Sequence, residues 1–584
     1  MTNTNARVFV WLGLALALWL NYETWQRDYV VKPDIAGSMT AATGASSVSS
    51  TLGNSIPTAP AVAAAANNSV AATATTPAAT PAVALATTIP AVTAATGDVA
   101  NSGQGAGTIH VRTDVLDLDV SLLGGELKRA DLLQYPQVKG QSAPVRLLNA
   151  DPVGRYSVQT GLSGPAGAAR PTHLALFTSG LISYELPTSG DELRVPLTWS
   201  DGGVTVTKTF ILHRSQYRID VQYDVQNASD AAWQAASYAQ ILRDNVPLPR
   251  TMFNVESYAS KVPAYDDGTK YQKLALDKDE DKNLSRDIKG GWIAGLQHHF
   301  VVAVVPPNDA QYHYAMQAQG NQYLLSVAGP LTTVAAGAAG VFKETLYIGP
   351  KLQAQLGAIA ARLDLVADYG MLTVLSKPLF WALGTVHNAV GNWGLAIILV
   401  TFLLKLLFYP LSESSGKSMA KMRVLAPRIK ALQETYKDDK EQLGKKMMEV
   451  YQKEKINPIA GCLPMLIQMP VFFAFYWVLL ESVEMRQAPF FGWIHDISSK
   501  DPFYILPVLM AIAMFVQYKL NPAPADPVQA KVFMILPLVM SVTFAFFPAG
   551  LVLYWVTNTV LSIAQQWNIN RRIEAMSSKA RAAA

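Results

Sequence analysis

The chain's 584 residues exceed the usual size of one domain, half are hydrophobic, 15% are charged, and mean hydropathy is +0.17. That balance is high for a soluble protein and low for an all-membrane one, so the chain should mix both kinds of domain. A net charge of +4 is too weak to argue for nucleic acid, and a single cysteine, Cys462, excludes an intrachain disulfide and a cysteine-built metal site.

Arg7 precedes the apolar run Val8–Leu20, which is followed by Asn21-Tyr22-Glu23-Thr24-Trp25 rather than by small residues suited to signal cleavage. Residues 1–25 are expected to form an uncleaved anchor with its N-terminus cytoplasmic and Tyr22 and Trp25 at the far interface. Residues 26–107 are expected to be a linker. From residue 36 it is almost purely Ala, Thr, Pro, Val, Ser and Gly, which cannot build a packed core; as a random coil it relaxes to a span of roughly 45 Å.

Residues 108–350 turn to a period of two. Leu116, Leu118, Val120 and Leu122 alternate with Asp117, Asp119 and Ser121. Val204, Val206, Lys208, Phe210 and Leu212 share one parity, as do Tyr217, Ile219, Val221, Tyr223 and Val225, and Gly124-Gly125 and Gly202-Gly203 mark turns. This predicts an all-β sandwich of antiparallel strands. Asp277–Lys282 is expected to be an exposed charged loop. His298 and His299, placed in a strand, would face opposite sides and make a poor metal pair.

Residues 351–390 are helical in pattern, and Met371–Val390 is expected to lie at the membrane interface as an amphipathic helix. Asn392–Leu411 is apolar and, at roughly 20 residues, long enough for a span, with one cation, Lys405, deep in its second half. A charge at that depth costs about 2.5–3.5 kcal/mol, so it either lines a wet recess or snorkels to the headgroups. Residues 412–457 form a basic helical hairpin with eleven Lys and Arg against seven Asp and Glu between Ser412 and Lys455, and Asp438-Asp439 between its helices. Pro427 should kink the first helix or mark its start. Four more apolar segments follow: Cys462–Leu480, Phe503–Tyr518 kinked at Pro507, Phe533–Phe547, and Leu551–Trp567 after a turn at Pro548-Ala549-Gly550. The loop after the first carries Glu481, Glu484, Asp496 and Asp501. The later loop and the tail are basic, so six spans with both termini cytoplasmic and the sandwich outside satisfy the charge rule.

The fold class is therefore a multi-domain membrane protein: an α-helical six-span membrane domain with a cytoplasmic hairpin, plus an all-β periplasmic sandwich. No bond-breaking chemistry is indicated. The GKS at Gly416-Lys417-Ser418 lacks the glycine a phosphate loop needs five residues earlier, where Leu411 stands. The spans lack aspartate, and none pairs serine with histidine as an intramembrane protease would. No cofactor or metal is expected. What the spans do hold is polar. Thr401 and Lys405 share a face, Gln468 sits mid-span, and Tyr554, Asn558, Ser562 and Gln565 form a stripe on the last helix. Interhelical hydrogen bonding explains any one of these, at about 0.6–2 kcal/mol; the set facing an unneutralised lysine suggests a hydrated groove.

Asn392-Trp393-Gly394…Tyr409-Pro410-Leu411, Ser418–Arg423, Asn457-Pro458…Gly461–Pro464…Ile467–Pro470, Arg486–Phe490, Trp493–Asp496 and Phe547–Trp555 together resemble the YidC membrane-protein insertase family. Thr113–Leu116 and Leu346–Pro350 resemble its Gram-negative periplasmic domain. The resemblance implies an insertase of the inner membrane that passes nascent membrane proteins through a positively charged groove, at Lys405, Thr401, Gln468, Tyr554, Asn558 and Ser562, and releases them laterally into lipid, alone or with the Sec translocon and its accessory subunits. It also implies ribosome and signal-recognition targeting factors as partners of the hairpin and tail, and a galactose-mutarotase-like sandwich. The family's groove cation is usually arginine; Lys405 keeps the charge without the bidentate fork. A secondary transporter or channel with a periplasmic sensor domain would show two similar halves, and no internal repeat is visible. A merely anchored carbohydrate-binding or enzymatic domain would need neither six spans nor a hairpin.

Overall fold

The computed structural model describes residues 51–58, 107–151, 154–165, 169–245, 262–276, 278–436, 439–454, 463–520 and 527–582. The expected anchor, residues 1–25, lies outside the described residues, as does most of the linker.

Two sheets form the sandwich. The larger runs Ser285–Lys289, Gln311–Gln319, Gln322–Ala328, Trp233–Asp244, Tyr156–Ser163, Leu127–Pro136, Leu116–Ser121, Thr108–Arg112 and Ser183–Glu185, with Thr332–Val334 and Pro144–Leu148 paired onto it. The smaller runs Tyr271–Lys273, Pro263–Asp266, Trp292–Leu296, Phe300–Val305, Ala339–Pro350, Arg218–Asn227, Val204–His213 and Glu192–Asp201. Neighbours are antiparallel except Thr108–Arg112 beside Ser183–Glu185. Glu192–Asp201 shows the cause plainly: Leu193, Val195, Leu197 and Trp199 are buried, and the residues between them are exposed. Its hairpin partner follows after Gly202-Gly203, both at positive φ, which a two-residue hairpin turn requires. The inner faces share one apolar core.

Lys208 enters that core with its strand neighbours and is wholly buried. Its Nζ donates to the carbonyls of Gly124 (2.8 Å), Thr160 (3.1 Å) and Gly125 (3.2 Å) and lies over the rings of Phe177, Phe210 and Tyr223. Burial pushes its amine down to about 7 and pushes the carboxyl of Glu344, also in the core, up to about 8.

Helices follow the sandwich: α1 (Gln353–Ile359), α2 (Thr373–Val390), α3 (Trp393–Leu407), α4 (Tyr409–Thr435), α5 (Lys440–Lys453), α6 (Leu463–Glu481), α7 (Ile505–Leu520), α8 (Pro527–Phe544) and α9 (Ala549–Ala582). The structure revises several expectations. His298 and His299 precede the strand Phe300–Val305, as their place in the sequence indicated, but they lie in a turn, and their rings stack at 3.9 Å instead of pointing apart. Asp279–Lys282, within the expected loop, closes one helical turn with its acids in the first turn, where the helix dipole favours them. Asn392–Leu411 is not one rod. It breaks at Phe408, and α3 meets the first part of α4 at 63°, because Pro410 has no N–H to give and its ring crowds the carbonyl four residues back. Pro427 lies inside continuous α4 and marks no helix start. Pro507 lies in the first turn of α7, where proline costs no hydrogen bond, and produces no mid-helix kink. The last turn falls at 545–548, ahead of α9.

The sandwich sits against the helical domain through loops. Arg486 donates to the carbonyls of Pro136 (3.0 Å) and Gln137, and Lys139 reaches the carbonyls of Gln487 and His495. His298 Nε2 donates to the Leu480 carbonyl at the end of α6 (3.0 Å). Buried Lys351 pairs with Glu481 at 3.8 Å, and Arg362 holds buried Asp266 with two hydrogen bonds.

Candidate functional site: a cationic recess between helices

Gly391, at positive φ, ends α2, and the Asn392 side chain accepts the Leu395 N–H at 3.0 Å, capping α3. Gly394 follows because a Cβ there would stand 2.1 Å from the Phe490 ring. This junction fixes the phase of α3. Phe402, Leu403, Leu406 and Leu407 face outward, while Ala396, Ile397, Val400, Thr401 and Lys405 face inward. Lys405 falls in the last turn of α3, where the unsatisfied carbonyls favour a cation.

The structure brings all six residues singled out in the sequence to one place. Lys405 Nζ donates to Ser562 Oγ at 2.8 Å, and that hydroxyl donates to the Asn558 carbonyl one turn earlier at 2.7 Å. Ser562 is thereby oriented with its lone pairs toward the ammonium. Gln468 on α6 donates to Asn558 Oδ1 at 3.1 Å. Thr401, one turn above Lys405, donates to the Ile397 carbonyl at 2.6 Å. Tyr554 is buried, its ring stacked 4.4 Å from Phe475. Lys405, Gln468, Tyr554, Asn558 and Ser562 line a recess of about 220 Å³. Thr401 joins Lys405, Gln468, Tyr554 and Asn558 around a smaller pocket beside it. Among the described residues no carboxylate pairs with Lys405, and Ser562 is its one hydrogen-bond partner.

Sequence reasoning missed part of the lining. Ser412, Ser415, Gln517, Thr559 and Gln566 also reach the recess. Gln517 was the findable one, an amide near the end of an otherwise apolar segment. The serines were hidden by the bend, which turns the start of α4 back over the recess. Gly416 of the rejected phosphate-loop match lies inside α4, where a Cβ would stand 2.8 Å from Ile569 on α9; it is a helix–helix contact.

Among the described residues one cluster has metal-ligand spacing, His110, Asp117 and Asp119 in the sandwich. Arg129 already donates to both aspartates at 2.6–3.0 Å, so the cluster is an ion-pair network.

By length and composition no single described helix would cross a membrane; the bent pair of α3 and the start of α4 passes that test together, and α6, α7 and α8 contribute shorter apolar stretches. Val508, Ile512, Phe515, Leu538 and Val542 on α7 and α8 are nonetheless exposed, far more apolar surface than a soluble protein leaves in water. A helical domain with an apolar exterior and an inward lysine, joined to a β-sandwich, has the make-up of a membrane protein with a large extramembrane domain.

The comparisons narrow the class. Residues 385–577 match the 60Kd inner membrane protein family, and residues 108–382 match the YidC periplasmic domain. A membrane protein insertase YidC of Nitrosococcus oceani is 42% identical over 573 residues, 98% of this chain and 99% of its own length. That of Thioalkalivibrio sulfidiphilus is 48% identical, covering 81% of this chain and 86% of its own. The chain belongs to the YidC family of membrane protein insertases. A crystal structure of an active YidC insertase aligns at 18% identity and a TM-score of 0.36 over 79% of this chain and 92% of its own. A galactose mutarotase related enzyme from Lactobacillus acidophilus aligns at 10% identity and a TM-score of 0.30 over 41% of this chain and 97% of its own. At such scores the sandwich rests on its own two sheets.

Proposed function

We propose that this inner-membrane insertase works through the recess at Lys405. The observation that carries the reading is an inward ammonium whose one hydrogen-bond partner among the described residues is a hydroxyl, facing a cavity where amides and hydroxyls interleave with Met469, Phe472, Met514, Trp555 and Ile569. A cation in a low-dielectric wall attracts the acidic, polar tail of an incoming membrane protein and lowers that tail's desolvation cost. The tail's apolar neighbour then leaves sideways into lipid, past the exposed faces of α7 and α8. No catalytic residue is required.

The charge pattern supports six spans, with both termini and the α4–α5 hairpin in the cytoplasm and the sandwich in the periplasm. The hairpin is built for contact. Asp439 caps α5 by accepting the Glu441 and Gln442 N–H groups, and Met448 is exposed, an adaptable side chain for ribosome or signal-recognition factors. The loops around Arg486 and His495, hydrogen-bonded to the sandwich, suit a stable periplasmic platform, on which Sec subunits could also assemble. A mutarotase-like sandwich brings no sugar chemistry with it.

The test is insertion of a substrate with an acidic translocated tail, at matched protein levels. Lys405→Ala loses activity and Lys405→Glu loses more, because repulsion replaces attraction. A double variant, Lys405→Ala with Leu411→Lys, restores a cation near the headgroups but not in the recess, and stays inactive. Normal insertion by that variant would make Lys405 a mere anchor and sink the reading.

A further inference from the structure

The outer face of the larger sheet carries an unusual row. Gln240 sits opposite Gln159 on one neighbouring strand and Ser326 on the other; Leu242 sits likewise between Ser157 and Leu324. All six side chains are buried, yet none belongs to the sandwich core. A piece of the linker lies over Gln159, Gln240, Leu242 and Leu324. Thr51–Asn54 forms a single 3₁₀ turn against this face, and Leu52 packs on Leu242 and Leu324.

The contacts follow a rule. The Gly53 carbonyl accepts from Gln159 Nε2 at 3.3 Å and from His173 Nε2 at 3.1 Å, and the Ser55 carbonyl accepts from Gln240 Nε2 at 3.1 Å. His173 is held for this task. The Tyr238 hydroxyl lies 2.7 Å from its Nδ1 and accepts its backbone N–H, which leaves the proton on Nε2, facing the carbonyl. Gln159 is aimed in turn by Glu126 (3.2 Å) and by its own Oε1, which accepts from Gln240 (2.6 Å). Each donor that reaches the segment addresses its main chain. The face swallows the Leu52 side chain, while Asn54 and Ile56 are exposed. Among the described residues, Gln240 Oε1 and Ser157 Oγ in the row have no hydrogen-bond partner, and leaving such groups unmet costs about 1–3 kcal/mol each.

We propose that this face is a peptide-binding pocket, filled here by the chain's own Thr51–Ser55 and able to take in its place an uncharged segment of another chain that presents an apolar residue followed by glycine. Recognition through two carbonyls and one apolar socket is tolerant of sequence, which suits a protein that meets many unfolded segments. The self-segment acts as a tethered competitor, at an effective concentration on the order of millimolar for a flexible linker. The pocket does not depend on the Lys405 recess, and its failure would leave that reading untouched.

The probe is a fluorescein-labelled peptide of residues 50–58, titrated by polarisation into the full-length protein in lipid nanodiscs. A chain lacking 51–55 binds it saturably, and wild type binds at least tenfold more weakly. Leu52→Asp in the full-length chain expels the self-segment without shortening the linker and gives the same gain. The pocket's selectivity is read from the peptide, so no folding defect intrudes: a peptide carrying Leu52→Asp loses binding, and one carrying Ile56→Asp keeps it. No saturable binding to the deleted chain, equal binding to wild type, or retention by the Leu52→Asp peptide would each overturn the proposal.

Discussion

Two lysines, one in each domain, are hidden from water in opposite ways. Lys208 has three carbonyl acceptors, three aromatic rings and a carboxyl, Glu344, in the same core. Every proton of its ammonium is spoken for. Among the described residues Lys405 makes one hydrogen bond, to Ser562, and it looks into a recess. The same residue type is thus a fastener in the sandwich and, under the proposed function, a bait in the helical domain. What separates the two roles is how many donors remain for a visitor, since an ammonium carries three.

The largest expected effect breaks the fastener. Lys208→Met strands three buried carbonyls and removes the cation near Glu344, so the sandwich should lose about 3 kcal/mol or more of stability. Lys405→Met should shift the unfolding midpoint little, under about 1 kcal/mol, while insertion of acidic-tailed substrates collapses. Denaturant melts of both variants, beside an insertion assay, check the contrast; similar stability losses in the two would erase the distinction.

The seam between the domains gives the next effect. Burial, with help from Lys351 and Arg486, holds His298 down to about 4 and His299 well below the usual histidine range, although the Leu480 and Glu481 carbonyls oppose this. A folded value below the exposed value means that the undocked state takes the proton first. Docking is therefore fully stable above about pH 6.5 and weakens as pH falls from there toward 4, by about 3 kcal/mol for His298 alone. Hydrogen exchange at 480–487 should accelerate over that window in wild type, and His298→Gln should flatten the response. A pH-independent wild type would show that the stacked pair carries no such load.

A smaller effect tests the frame around Lys405. Gly394→Ala drives a Cβ into Phe490 at 2.1 Å, an overpacking cost of about 1–3 kcal/mol. Phe490→Ala in the same chain should recover much of it, as measured by thermal melting. Additive losses in the double variant would place the strain elsewhere.

These contrasts also mark what the sequence could show. The strand parity that put Lys208 with Val206 and Phe210 was legible, because side-chain period is local. Its acceptors were not, since Gly124 and Thr160 lie on distant strands. Thr401 with Lys405, and Tyr554 with Asn558 and Ser562, were legible as faces of single helices. The bond from Lys405 to Ser562 joins residues 157 positions apart and needed the fold. The break at Phe408 was missed because apolarity runs straight through it, although Pro410 was the local sign. The docking of Leu52 was invisible for a different reason: low-complexity composition argues against a core, and says nothing of one short stretch borrowing a pocket from another.

The smallest expected effect is the most discriminating for the recess. Lys405→Arg keeps a positive charge at the same depth, and arginine's longer, planar head can still donate to Ser562 while presenting two edges to a carboxylate. If the recess works by charge, insertion stays within about twofold of wild type, the scale of a few tenths of a kcal/mol. If it instead needs a compact ammonium seated on Ser562, the larger head crowds Asn558 and Gln468, and activity falls for every substrate irrespective of tail charge. Ser562→Ala separates the two. Under the charge reading it releases the Lys405 amine without removing it, so acidic-tailed substrates insert nearly as before. Under the seating reading it fails in step with Lys405→Arg. A drop confined to neutral-tailed substrates fits neither account and would mean that the hydroxyl–amide row, not the cation, contacts the cargo.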